Sequence, residues 1–251
     1  MDMSTITHTH RDTWLEPGEL GAHYPGYQKT HARFDEFIDE FHAYYADCPT
    51  PQGLIDIGIP GWLWPADALK LYEMAYYADG DVLEIGSFHG LSTSIQGKAL
   101  VNAGGGKRIL SLELDSANMD ETRRHTAPTA QVHEYIVGDA VMSCRALKNR
   151  GRTFGFAFVD HAHSYDLVKI AAEDLKTLIK PGGFALFHDY NDARNGSGDP
   201  DYGVYQAVQD AFADGTFEFC GVYGCTALYR RTGKVFAEAR PSLLQRLFGR
   251  A

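Results

Sequence analysis

Residues 82–90 read VLEIGSFHG, an apolar run that meets an acidic residue, a glycine, three further residues and a second glycine. A short apolar run punctuated by glycine fits a buried strand. Gly86 and Gly90 then stand at the turn into the next helix, expected over LSTSIQGKALVNA (91–103). Glycines there let the backbone come close to a ligand and leave the amides of the helix N-terminus free to meet it. A turn that cradles a pyrophosphate spaces three glycines as G-x-G-x-x-G. Here the third is missing, and Glu84 would set a carboxylate against such an anion.

Outward from this stretch the pattern repeats. RILSLELD (108–115), VHEYIVGDA (132–140), FGFAFVD (154–160) and GGFALFHDY (182–190) read as strands, with helices expected over 118–125, 141–149 and 166–179 between them. A helix from Val204 to Phe212 precedes two last strands, FEFCGVY (217–223) and CTALYRR (225–231). Short buried strands alternating with helices imply an α/β, doubly wound, mostly parallel seven-stranded sheet covered on both faces. Ligands of such sheets bind beyond the carboxyl ends of the strands, and every candidate site residue lies at one of those ends.

The flanks are different. Residues 1–27 carry Pro17, Gly18, Gly21, Pro25 and Gly26 and read as an irregular arm. From Gln28 to Ala46, Phe34, Phe37, Ile38, Phe41, Tyr44 and Tyr45 repeat at helical spacing. Pro65 opens another helix running to Ala78. The chain therefore divides into an arm with its helix (1–60), a ligand-binding domain (61–233) and a tail (234–251), whose SLLQRLFGR is a short basic amphipathic helix.

Composition narrows the partners. A formal charge of −10 argues against nucleic acid and anionic membranes, which recruit Lys and Arg. A small molecule is expected instead. Cys48, Cys144, Cys220 and Cys225 match neither a zinc ribbon nor a disulfide framework, and residues 1–15 show no signal-peptide pattern, so a reduced, cytoplasmic protein is expected. The phenylalanine-rich N-terminal helix is a candidate homodimer contact.

VLEIGSFHGLST resembles the first motif of class I S-adenosylmethionine-dependent methyltransferases, within them the catechol O-methyltransferase type and the macrocin-type O-methyltransferases of antibiotic sugars. The resemblance runs from about Trp62 to Arg231. It implies a Rossmann-like methyltransferase fold that binds S-adenosylmethionine, whose ammonium and sulfonium suit the acidic turn. Glu84, Gly86, Ser87, Gly90 and Ser92 should hold its methionine part, Phe88 should line the pocket, Glu113 should grip the ribose hydroxyls, and Asp139, beside Ala140, should meet the adenine. Acidic residues at strand ends also cap helices, so each has a structural alternative.

The strand ends at 160 and 188–189 carry the chemistry. By the resemblance, Asp160, His188 and Asp189 occupy the metal-ligand positions, with His188 where the relatives have a carboxylate or amide. A nitrogen donor moves preference from magnesium toward manganese, iron or zinc. The same three residues can instead orient substrate without a metal. His163 falls on the position of the relatives' Lys or His base, and an imidazole of ordinary pKa suits that work; a structural hydrogen-bonding histidine is the alternative. The role of His161 stays open.

Residues 190–202, YNDARNGSGDPDY, read as a mobile loop over the mouth. Trp62 and Trp64 either sandwich a sugar or aromatic ring of the acceptor or pack the N-terminal helix onto the sheet. The resemblance implies O-methylation of a small molecule, a sugar or phenolic hydroxyl, with the choice of O or N open. A nicotinamide-dependent oxidoreductase is disfavoured by the missing glycine. A non-catalytic cofactor-binding protein and a hydroxylase-like metal enzyme remain, since fold does not establish function.

Overall fold

The computed structural model describes residues 11–34 and 53–234. Its centre is one seven-stranded sheet in the order β3-β2-β1-β4-β5-β7-β6. β1 (Val82–Ile85), β2 (Ile109–Glu113), β3 (His133–Val137), β4 (Phe154–Val159) and β5 (Ile179–Phe187) are parallel. β6 (Phe217–Tyr223) and β7 (Thr226–Arg231) form an antiparallel hairpin, and β7 inserts beside β5. The chain leaves β1 toward β2 and β3 and then returns to the other side of β1 for β4, so the strand order reverses at β1/β4. Doubly wound sheets open their ligand crevice at such a reversal.

Two layers of helix cover the sheet. α1 (Pro65–Tyr77), α2 (Leu91–Ala103) and α3 (Ser116–His125) lie on one face; α4 (Ala140–Asn149), α5 (Tyr165–Leu178) and α6 (Val204–Phe212) lie on the other. Strand side chains alternate between the two cores. Along β4, Ala157 and Val159 face α5 and α6, while Phe156 and Phe158 face α1 and α2.

Sequence and structure agree on every element of this layout and differ at some ends. β5 begins at Ile179, three residues before the expected GGF, and runs through Pro181 with a register shift against β4 between Phe154 and Phe156. A bulge tolerates a proline that a regular ladder does not. Gly183 is needed there because a Cβ would stand 2.6 Å from the Gly155 carbonyl oxygen.

The arm is irregular where it is described, with single turns at Arg11–Thr13 and Pro17–Glu19. Of the helix expected over 28–46, residues 28–33 are not helical, because Thr30 and His31 spend their amides on the buried Glu73 carboxylate, at 2.7 and 2.6 Å. The remainder beyond Phe34 lies outside the described residues, as do Cys48 and the tail helix at 242–250. Cys144, Cys220 and Cys225 are free thiols. Among the described residues no helix is long and apolar enough to cross a membrane.

Candidate active site

Backbone hydrogen bonds continue past the strand ends and align them. Gly86 N donates to Leu112 O (2.9 Å), Asp160 N to Ile85 O (2.9 Å) and His188 N to Val159 O (3.0 Å). Gly86, Asp160 and His188 thereby stand side by side at the sheet's carboxyl edge. Gly86 has φ +92°, and a Cβ on it would meet the Asp160 carbonyl oxygen at 2.1 Å, so both conformation and space demand glycine. Gly90, also at φ +92°, caps α2.

A cavity of about 650 Å³ opens over this edge. Its floor is Gly86, Ser87, Gly138, Asp139, Ala140 and Asp160; Glu113 and Leu114 form one wall; Phe88 and Ser92 border it as well. The volume falls within the range of small-molecule sites. The candidate residues from five strand ends are thus brought to one place, with two exceptions.

Glu84 is the main correction. It is wholly buried and lines no part of the cavity. Strand alternation turns it, with its neighbour Ser111 on β2, toward α2 rather than past the strand end. There its carboxylate accepts from the Ser92, Thr93 and Ser111 hydroxyls, each at 2.7 Å, and from the Gln96 amide at 2.8 Å. Burial raises its pKa to about 7 against the pull of those donors. Gly90, the second exception, shapes the turn without lining the cavity.

Glu113 holds the β1 loop as well as lining the cavity. One oxygen accepts from Ser87 N (3.2 Å) and Phe88 N (2.9 Å), the other from Asp115 N (3.0 Å). A carboxylate offers about four acceptor positions. Three are used, so gripping two hydroxyls at once requires releasing the long bond from Ser87. Asp139 both borders the cavity and caps α4, accepting from Met142 N at 2.9 Å. Cavity lining and capping coincide there.

On the other side of the mouth, four ionisable side chains from the β4 and β5 ends converge. His163 Nε2 is 2.8 Å from Asp189 Oδ2 and 3.9 Å from Asp160 Oδ1; His188 Nδ1 is 3.3 Å from each of those oxygens. Asp189 takes φ +55°, a conformation rare for a non-glycine residue, which aims its carboxylate back into the cluster. Burial opposes ionisation of Asp160 and Asp189, yet the adjoining imidazoles outweigh it and hold both carboxyls below their usual range. Burial likewise works against a charge on His163, but Asp160 and Asp189 lift it to about 9. An imidazole of ordinary pKa was expected; His163 is instead a proton donor at neutral pH in this arrangement. His161, beside it, is held neutral by burial down to about 4, and neither of its ring nitrogens has a hydrogen-bond partner.

The rim separates the two tryptophans. Trp62 is 67% exposed at the cavity mouth, with the Phe88 ring 5.7 Å away. Trp64 faces away and stacks on Tyr24 of the arm at 4.5 Å. Trp64 therefore packs against the arm, while Trp62 stands exposed at the mouth. Residues 190–202, expected to be a mobile loop, are cross-braced: Asn195 donates to the carbonyls of Asp189, Tyr190 and Asp192.

Sequence reasoning missed Tyr202, Arg194 and Asn191. Tyr202 stacks on His163 at 4.8 Å, and the Arg194 guanidinium lies 4.0 Å over the Tyr202 ring. The buried Asn191 ties the β5 end to the arm through Gly21 N and His23 O. Asn191 stands two residues after Asp189 in the sequence, but tyrosine and arginine within a polar loop carried no periodic signal.

Comparison with known proteins bears on this geometry. Residues 83–190 match a family model described as a methyltransferase domain. An O-methyltransferase from Bacillus cereus, solved with S-adenosylhomocysteine, superposes with a TM-score of 0.56 at 20% identity, over 77% of this chain and 88% of that one. The O-methyltransferase TomG from Streptomyces achromogenes, solved with S-adenosylmethionine, gives 0.54 at 22% identity, over 78% and 91%. A fibrillarin pre-rRNA processing protein from Methanococcus jannaschii gives 0.50 at 16%, over 64% and 70%. Likeness at these identities establishes the fold, and the range of proteins sharing it leaves the acceptor to be argued from the site.

Proposed function

We propose, from the premise that residues 83–190 form a class I S-adenosylmethionine-dependent methyltransferase domain, that the chain transfers a methyl group to a hydroxyl of a small molecule. The observation that carries this reading is the meeting, in one cavity, of a glycine-floored half and an ionisable half. Gly86, Ser87, Phe88, Ser92, Glu113, Asp139, Ala140 and Asp160 would hold the donor, with Gly90 setting the turn and Glu113 taking the ribose.

The bound donor supplies a methyl group on a positively charged sulfur. The chain's task is alignment: an in-line displacement gains most of its rate from fixing the three reacting atoms. Asp160 stands where the two halves of the cavity join and is the residue placed to face both partners. Trp62 and Phe88 present apolar faces for an acceptor ring at the open side.

The acceptor hydroxyl must lose its proton. Asp160, His188 and Asp189 would hold a divalent cation, which when bound lowers the proton affinity of an acceptor oxygen. The donor set fits such an ion, because His188 is buried and neither ring nitrogen has a hydrogen bond. Without an ion, His163 orients the acceptor as a donor and takes its proton only once its own has left, as pH approaches 9.

The test is methyl transfer from labelled S-adenosylmethionine to a panel of phenolic and sugar hydroxyls, with His163→Ala alongside. Transfer to oxygen is expected, with the variant slower by about 10²-fold at unchanged donor affinity. Label on nitrogen, or a variant of normal rate, contradicts the reading.

A further inference from the structure

We propose that the Ser92 hydroxyl is a two-way switch set by Glu84, a positioning residue behind the cavity, so that binding of an ammonium-bearing donor drives a proton off Glu84. The inference deepens the donor reading above and rests on it for the ligand. Its own measurement counts protons, which affinity alone does not report.

The Glu84 carboxylate is full as it stands. Oε1 accepts from Ser92 Oγ at 2.7 Å and from Gln96 Nε2 at 2.8 Å, and Oε2 accepts from Thr93 Oγ1 and Ser111 Oγ, each at 2.7 Å. A carboxylate offers about four acceptor positions, so these four donors leave no room for a proton. Burial foremost, and then the charge of Asp160, nevertheless push its pKa up to about 7 against the pull of the hydroxyls. Near neutral pH both forms are populated. When Glu84 takes a proton, one of its four partners must turn from donor to acceptor.

The surroundings decide which partner turns. Gln96 Nε2 also donates to Ser92 O at 3.3 Å, so a reversed amide would set its oxygen against that carbonyl. Thr93 and Ser111 are wholly buried and have no second hydrogen-bond partner among the described residues, so reversing either hydroxyl leaves a buried proton unpaired. Ser92 alone of the four borders the cavity, where a reversed O–H meets water or ligand.

The ligand is sensitive to that direction. With Glu84 ionised, Ser92 donates inward and shows only lone pairs to the cavity; with Glu84 protonated, it shows a proton. An ammonium carries donors alone, so it pairs with the first arrangement and is repelled by the second. Conversion balances: the Glu84 proton moves onto Ser92 Oγ as Ser92's own proton leaves to water in the cavity. The other titratable groups around Glu84 do not take that proton. Asp160 is held below the usual carboxylate range, Tyr135 on β3 is a phenol raised by burial, and Glu113 on β2 engages the Ser87 and Phe88 amides.

Full-length protein is titrated calorimetrically with S-adenosylhomocysteine at pH 6 and pH 8, in buffers of different ionisation enthalpy, so that the heats count protons. At pH 6, release of about half a proton or more per ligand is expected, with binding about 10-fold tighter at pH 8. Glu84→Gln and Ser92→Ala should each remove most of the release and flatten the pH dependence. 5′-Methylthioadenosine, which lacks the ammonium, should bind without release. Ser92→Ala removes a single hydroxyl, so it and the truncated ligand carry the test should Glu84→Gln fail to fold. S-adenosylhomocysteine binding with a smaller release, release retained in either folded variant, or equal release with 5′-methylthioadenosine overturns the switch and leaves the donor reading standing. No binding of S-adenosylhomocysteine at either pH removes the donor reading and the switch with it.

Discussion

Glu84 shows how a single residue can be legible in type and misleading in direction. Its place before Gly86 is family-like, but it is the third residue of a strand that ends at Ile85, so alternation sends it inward. Asp160 and Glu113 sit past or at their strand ends and do reach the cavity. Burial makes Glu84 a pH-sensitive element of stability. The folded chain keeps its proton up to about 7, whereas an unfolded carboxyl releases it near 4.5. Stability from this group is therefore complete below the lower value and declines as pH rises through the upper one, by at most about 3 kcal/mol. Glu84→Gln should flatten thermal stability across that window, as read by melting temperature against pH. A slope equal to that of the wild type would mean that Glu84 is ionised throughout. At Gly86 the expectation is harsher: Gly86→Ala drives a methyl group into the Asp160 carbonyl and should abolish S-adenosylhomocysteine binding while lowering the melting temperature.

Among elements, the arm is held by a buried ion pair that no sequence pattern announced. Lys70 Nζ is 2.6 Å from Glu73 Oε2, and both side chains are fully buried on α1; Lys70 also donates to Gln28 O and Thr30 Oγ1. Removing one partner of a buried pair costs about 3–5 kcal/mol because the other charge is stranded. Lys70→Met should therefore destabilise the protein by that order in denaturant melts, and protease should cut the arm first. A loss below about 1 kcal/mol would show the pair to be solvated. Trp62 at the mouth and Trp64 against Tyr24 lie in one segment but have different surroundings. Trp62→Ala should raise the acceptor KM with little change in stability, and Trp64→Ala should do the reverse by losing its stack on Tyr24. Strands and helices were readable because periodicity is local. Residues 28–33, expected to be helical, were not, since the amides of Thr30 and His31 answer to Glu73, about forty residues away.

At the scale of the whole molecule, the parallel sheet covered on both faces follows from the alternation of strands and helices, and the crevice from the reversal of strand order at β1/β4. The glycine-floored half of the cavity was legible as a set of strand ends, Glu84 excepted, because glycines and acidic residues there are constrained one strand at a time. The ionisable half was legible as a list and not as an arrangement. That His163 and His188 share two carboxylates, and that Tyr202 and Arg194 close over them, depends on how β5 and its following segment fold back. The central claim is that the edges of β1, β2, β3 and β4 jointly hold an adenosine-based cationic donor. Calorimetric titration of S-adenosylhomocysteine into the full-length protein tests it most directly, with Glu113→Ala and NADH as comparisons. Saturable one-to-one binding, weakened about 10-fold or more by Glu113→Ala, with no response to NADH, is the expected result. No binding of S-adenosylhomocysteine alongside binding of NADH would contradict it.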